Sequence, residues 1–283
     1  MHTNNNEFEM ETRAIINKMA VIKHKILIMS GKGGVGKSTV AVNLACATAA
    51  AGHTVGLLDI DLHGPNVPRM LGLQTQRMDS TGDELLPYPV SEKFWVCSLA
   101  MMGADTKTPI IWRGPRKTSA IRQMLGHVQW GSLEYLFLDS PPGTGDEILG
   151  AVQAVPDWTG GIVVVTPQEV ALDDARRSIA FAKQVSLPVL GIVENMSGFV
   201  CSHCGKETEI FKKGGGESLA KELGVAFLGG VPLEPGIVSL GDDGKPFCLR
   251  SKDSPAGKAF ACIADNLAKF CAAKQDVKTH VKM

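Results

Sequence analysis

No charge of either sign predominates in this chain, in which Lys and Arg number 29, Asp and Glu number 29, and the formal net charge is zero. A global field that would gather nucleic acid or an anionic membrane is therefore absent, and any charged partner must be met locally. Long hydrophobic runs are missing too. The longest, Val40 to Ala51, falls short of the ~20 residues a membrane-spanning helix needs. Residues 1–11 are Asn-rich and acidic and hold no apolar stretch that could act as a signal sequence. The seven cysteines are odd in number, and five of them (Cys46, Cys97, Cys248, Cys262 and Cys271) stand apart from any close partner. That excludes the disulfide framework of a small secreted protein and points to a reducing cytosol. No repeat or low-complexity linker divides the 283 residues, and 44% apolar composition is enough for one large core.

What is present is alternation. Short apolar segments read as strands at Lys25–Met29, His53–Asp59, Phe94–Leu99, Leu133–Asp139, Gly161–Thr166, Pro188–Glu194 and Val225–Val231. Helical patterns lie between most of them, at Lys37–Ala51, Arg116–Leu125, Glu147–Val155, Leu172–Val185 and Gly216–Leu223, and a closing helix is expected over Ser254–Ala273. The expected fold is α/β, a doubly wound and mainly parallel sheet with helices on both faces. Right-handed crossovers then put the loops after the strands on one ligand-binding edge. Residues 1–22 read as a flexible N-terminal arm, 23–273 as the folded domain, and 274–283 as a frayed C-terminal tail. Leu73–Pro89 reads as a polar loop, and 197–216 as a polar insert outside any strand or helix.

Gly31-Lys32-Gly33-Gly34-Val35-Gly36-Lys37-Ser38 follows a strand and opens a helix. This is the context in which G-x-x-x-x-G-K-[ST] is a phosphate-binding loop. Glycines let successive N–H groups face phosphate oxygens, and the helix N-terminus adds its positive dipole end. Gly33, Gly34, Val35, Gly36, Lys37, Ser38 and Thr39 form the expected ATP cradle, with Lys37 on the β- and γ-phosphates and the Ser38 hydroxyl on Mg²⁺. Leu136-Phe137-Leu138-Asp139 is an apolar strand ending in a carboxylate, which places Asp139 as a second Mg²⁺ partner. Asp59 and Asp61 end another strand, and side-chain alternation sends both toward the phosphate edge.

Cys201-Ser202-His203-Cys204 is the only C-x-x-C in the chain. Two thiolates can grip a soft metal centre, but a closed site takes four ligands. A twofold axis between two copies would supply the other pair. Zinc shared between subunits, a redox pair and plain surface thiols are the other owners of such a pattern.

Lys32, a second lysine inside the loop, makes the sequence similar to the deviant Walker A ATPases, which include the nitrogenase iron protein and the chromosome-partition ATPases. That resemblance implies that Lys32 reaches the partner's nucleotide in a homodimer. The full set of motifs is more specific. The P-loop with Thr39, Asp59 to Asn66, Trp112-Arg113-Gly114-Pro115, Asp139 to Asp146, Glu194 to Ser197, and Cys201 with Cys204 resemble the Mrp/ApbC family of iron–sulfur cluster carrier ATPases. The resemblance implies catalytic roles for Lys32, Lys37 and Asp61, with Asp61 orienting water and Asp59 in the outer shell of Mg²⁺. It implies adenine recognition by Asn195, with Pro232 in the turn that walls the base. It further implies a [4Fe–4S] cluster bridging two subunits through Cys201 and Cys204, transfer of that cluster to apo-proteins, weak ATPase activity, and no nucleic-acid or membrane partner. A spatial-organising ATPase of the ParA/MinD kind is the rival, prompted by Lys269, Lys274, Lys278 and Lys282 near the C-terminus.

Overall fold

The computed structural model describes residues 2–62, 64–82, 84–102, 114–201 and 203–280. Helix α1 (His2–Ala20) leads into strand β1 (His24–Met29), helix α2 (Lys37–Ala50) and strand β2 (Val55–Asp59). A one-turn helix α3 (Val67–Met70) precedes the short strands β3 (Ser80–Thr81), β4 (Glu84–Leu85), β5 (Tyr88–Ser91) and β6 (Phe94–Ser98). Then come α4 (Gly114–His127), β7 (Tyr135–Asp139), α5 (Asp146–Ala154), β8 (Gly160–Val165), α6 (Glu169–Gln184) and β9 (Val189–Val200). The chain ends with β10 (Glu207–Thr208), α7 (Gly215–Leu223), β11 (Phe227–Leu233), α8 (Pro235–Asp242), α9 (Phe247–Arg250) and α10 (Pro255–His280).

Nine strands form one sheet in the order β10-β9-β8-β1-β7-β2-β6-β5, with β11 also paired to β9. All pairings in it are parallel except β5 with β6 and β10 with β9. The apolar runs become strands because both faces are covered, so alternate residues enter two different cores. Ile26 and Ile28 pack with α2 and α10 residues such as Leu44 and Phe260. Leu27 and Met29 face the opposite way, among Ile15, Leu125, Ile148 and Ile179. The doubly wound expectation holds. Strand β1 lies between β7 and β8, so its loop opens at the middle of the sheet edge, where doubly wound folds bind ligands.

Three expectations are corrected. The N-terminal segment is helical instead of a flexible arm: Ile15 and Met19 are fully buried, Arg122 of α4 bonds Glu11 and Thr12, and Arg122 also lies 4.3 Å from the Phe8 ring centroid. Docking against α4 orders a sequence whose own helical tendency is weak. At the other end α10 continues to His280, where a frayed tail was expected, since 274–280 contain no Gly or Pro to stop it. Finally, β9 runs to Val200, and β10 folds back on it with Glu207 opposite Val200. The insert is thus a β-hairpin whose tip carries the cysteines. Trp112 and Arg113 lie outside the described residues.

Candidate functional site

The loop after β1 curls over the N-terminus of α2. Gly36 adopts a left-handed φ of 83°, and a Cβ there would sit 2.2 Å from Asn195 Nδ2, so only glycine fits. That same amide donates to the Val35 carbonyl at 2.9 Å. Around the loop lies a cleft of about 390 Å³ lined by Ser30, Lys32, residues 33–39, Asp61, Gly64, Asn66, Met70 and Pro142. Lys32 and the whole expected ATP cradle, residues 33–39, are therefore at the cleft, whereas Gly31 does not line it. Lys32 is half-buried in its wall. Pro232 sits on β11, one residue past the register partner of Asn195, and does not line this cleft. Met70, on α3, was not singled out by sequence reasoning, because nothing local marks it as facing a ligand.

Beneath the loop two acidic strand ends meet, with Asp61 just past one of them. Asp59 of β2 and Asp139 of β7 are register partners on adjacent strands, and both are inaccessible to solvent. Lys37 Nζ donates to Asp139 Oδ1 at 2.5 Å and to Ser38 Oγ at 3.2 Å. Asp139 Oδ2 has no hydrogen-bond partner. Asp59 accepts from the Ser98 hydroxyl at 3.1 Å and from the Asp61 N–H at 3.1 Å, while Asp61 Oδ1 accepts from Gly64 N at 3.3 Å. Burial pushes the Asp59 carboxyl well above the usual carboxylate range, and the neighbouring Asp139 pushes it further. Asp139 is also raised by burial, against the opposing pull of Lys37. Two buried acids side by side with one lysine make a site short of positive charge.

The segment after β7 is tied to the loop: Gly143 N–H donates to the Ser30 carbonyl at 2.8 Å, and Ser140 Oγ to the Ile28 carbonyl at 2.8 Å. Movement of Pro142 at the cleft would therefore reach the strand that carries Asp139.

The cysteine hairpin closes through Cys201 N–H to the Lys206 carbonyl at 3.0 Å and Gly205 N–H to the Cys201 carbonyl at 2.9 Å. Cys201 is half-buried and Cys204 exposed. Hydrogen bonding to the Cys204 and His203 backbone and to the Cys204 side chain lowers the pKa of Cys201. Such a turn favours thiolate, the form that ligates metal. Among the described residues no group of three or more His, Cys, Asp or Glu side chains could hold a metal ion. By contrast Cys46, Cys97, Cys248 and Cys271 are buried, and burial raises the thiol pKa of the first three.

Comparison with known proteins gives a consistent picture. The ParA family described as NUBPL iron-transfer P-loop NTPase matches residues 21–268. An iron-sulfur cluster carrier protein of Methanocaldococcus jannaschii is 47% identical over 93% of this chain and 90% of its own. The cytosolic Fe-S cluster assembly factor NUBP2 of Bos taurus is 44% identical over 91% of this chain and 97% of its own. Among solved structures, a nucleotide-binding protein from Archaeoglobus fulgidus in complex with ADP superposes with a TM-score of 0.74 at 35% identity, covering 83% of this chain and 92% of that one. The septum site-determining protein MinD of Pyrococcus horikoshii, at 21% identity and a TM-score of 0.65 over 89% of this chain and 98% of that one, shares the fold.

Proposed function

This chain belongs to the NUBPL iron-transfer P-loop NTPase family, and from that premise we propose that it is an ATP-binding iron–sulfur cluster carrier working in the cytosol. The observation that carries the reading is one strand with two tasks: β9 holds the P-loop through Asn195 and continues directly to Cys201. Its relatives' names agree. The ParA/MinD alternative is not favoured, because a spatial organiser has no use for a turn that stabilises a thiolate.

The phosphate site fits Mg²⁺. Asp139 Oδ2 is a buried acceptor with no partner, Asp59 lies beside it, and the Ser38 hydroxyl is at the loop's end. These three residues would hold the cation and its water shell as hard oxygen ligands. When bound, the ion neutralises charge on the β- and γ-phosphates. For its part, Lys37 leaves Asp139 for the phosphates, and loop N–H groups supply the remaining donors. Asp61, at the cleft wall, orients the attacking water. Lys32 supplies positive charge to the nucleotide of a second copy, which makes hydrolysis depend on dimerisation. Asn195 and Pro232 are assigned to the base side.

The cargo is a [4Fe–4S] cluster. One chain offers two thiols, and four-cysteine ligation needs a second chain about a twofold axis. Recipients are apo iron–sulfur proteins. Anaerobic reconstitution followed by iron and sulfide analysis tests this. About four irons per two chains are expected, with loss of the visible absorbance in Cys201→Ala and in Cys204→Ala. A full cluster in either variant would contradict the ligation.

A further inference from the structure

Glu194 is the residue before Asn195 on β9, it is completely buried, and nothing in the phosphate or thiol chemistry above uses it. Its carboxylate accepts three hydrogen bonds. Oε1 takes the Ser197 hydroxyl at 2.6 Å and the Gly214 N–H at 2.9 Å, and Oε2 takes the Gly216 N–H at 2.5 Å. Ser197 and Gly214 lie on either side of the cysteine hairpin in the chain, and Gly214 with Gly216 begins α7. A single carboxylate therefore fastens both ends of the insert, and it also satisfies donors that a helix N-terminus leaves unpaired.

The contact depends on close backbone approach. A Cβ on Gly216 would lie 3.0 Å from Glu194 Cβ and 3.0 Å from Val165 Cγ2, and one on Gly230 would lie 2.8 Å from Ser197 Oγ. Glycines at both places let the strands and the α7 start press onto the acid. On the other side of the same peptide unit, Asn195 holds the Val35 carbonyl of the nucleotide loop. The base of the thiol hairpin and the rim of the phosphate loop are thus fixed to consecutive residues of one strand.

We infer that Glu194 is the positioning residue that couples the two sites: it keeps the hairpin bearing Cys201 and Cys204 in a set relation to the P-loop, so that a change at the loop is passed to the thiols. This rests on the reading that the chain is an ATP-binding carrier of a cluster held by those thiols. In Glu194→Gln one acceptor oxygen becomes an NH₂ donor. Either orientation of the amide then opposes a donor to a donor, because all three partners of the carboxylate donate. The hairpin base loosens while the sheet keeps its strands.

The test uses the cluster-free full chain and iodoacetamide, with alkylation rates of Cys201 and Cys204 followed by peptide mass spectrometry. Cys262, exposed on α10, is the reference thiol in the same molecule. At saturating MgATP, confirmed for each variant by titration, the wild-type ratio of hairpin to Cys262 rates should change by about fivefold or more relative to nucleotide-free protein, the scale of ordinary site-to-site coupling. In Glu194→Gln that change should vanish. In Ser197→Ala, which removes one of the three donors, it should be intermediate. A Glu194→Gln protein that retains the full nucleotide effect overturns the inference, as does a wild type that shows none. Should Glu194→Gln fail to fold, Ser197→Ala decides, and an undiminished effect there is equally fatal. Iron and sulfide content after nucleotide-free reconstitution reports on the carrier reading separately, so the failure of one is not mistaken for failure of the other.

Discussion

At the scale of single residues, the phosphate site is governed by acids held where they resist ionisation. Asp59 and Asp139 have folded pKa values raised above the ordinary carboxylate value of about 3.9. The native state therefore keeps protons that the unfolded chain releases. Stability from this pair is present at low pH and is lost as pH rises from the ordinary carboxylate range through the raised native values. His24 acts in the opposite sense: burial lowers it to about 4, so stability falls as pH drops from about 6.5 toward that value. Comparing wild type with Asp59→Asn isolates the acid pair. The variant should have a flatter Tm–pH curve as pH rises from the ordinary carboxylate range, with a Tm at neutral pH higher by about 2–4 °C for each kcal/mol regained. Stabilisation of the wild type by MgATP should grow with pH over the same interval, since the cation takes the place of protons. Parallel curves for the two proteins would refute this account. Residue chemistry of this kind was largely legible in the sequence. The P-loop, Asp59, Asp61, Asp139 and both cysteines are marked by local spacing. Glu194 was not, because its three donors come from residues 197, 214 and 216 and only the fold collects them.

At the scale of elements, strands doubly covered by helices leave continuous apolar runs, and seven were read to within a few residues, apart from the far end of β9. Where the sequence misled, the determining contacts were distant. The polar start of α1 gives no sign of its docking on α4, although Ile15, Met19 and Ile22 share helical spacing and are buried together. Beyond residue 196 β9 contains Ser197 and Gly198 and reads as loop, yet β10 pairs with Phe199 and Val200 and keeps it extended. The docking of α1 predicts a stability role for residues outside the nucleotide site. Ile15→Ala should destabilise the protein by about 2–5 kcal/mol, the cost of emptying a packed core position. ATP affinity of the folded fraction should be nearly unchanged. Chemical denaturation with parallel nucleotide titration checks both. A loss below about 0.5 kcal/mol would mean that α1 is not part of the cooperative core.

At the scale of the whole molecule, the proposed dimer supplies what one chain lacks: a second thiol pair and a lysine in trans. Lys32→Ala should therefore bind ATP with near-normal affinity but hydrolyse it at least about tenfold more slowly, since removing charge at the transferring phosphate acts on the transition state. Mixed with an excess of a hydrolysis-deficient Asp61→Asn chain, it should regain part of its turnover through hybrid dimers, because each mixed dimer keeps one nucleotide facing an intact Lys32 and, in the arrangement proposed, one intact Asp61. Steady-state phosphate release on defined mixtures gives the answer. Turnover by Lys32→Ala equal to that of wild type would remove the trans role.

The placement of the seven cysteine sulfurs sets how this protein should age. Four are sealed in the interior, where burial makes those at positions 46, 97 and 248 poor nucleophiles. Air can reach the hairpin tip and the α10 surface first, so oxidative injury should begin at the rim, leave the folded body intact, and yield to a mild thiol reductant without any need to unfold and refold the chain.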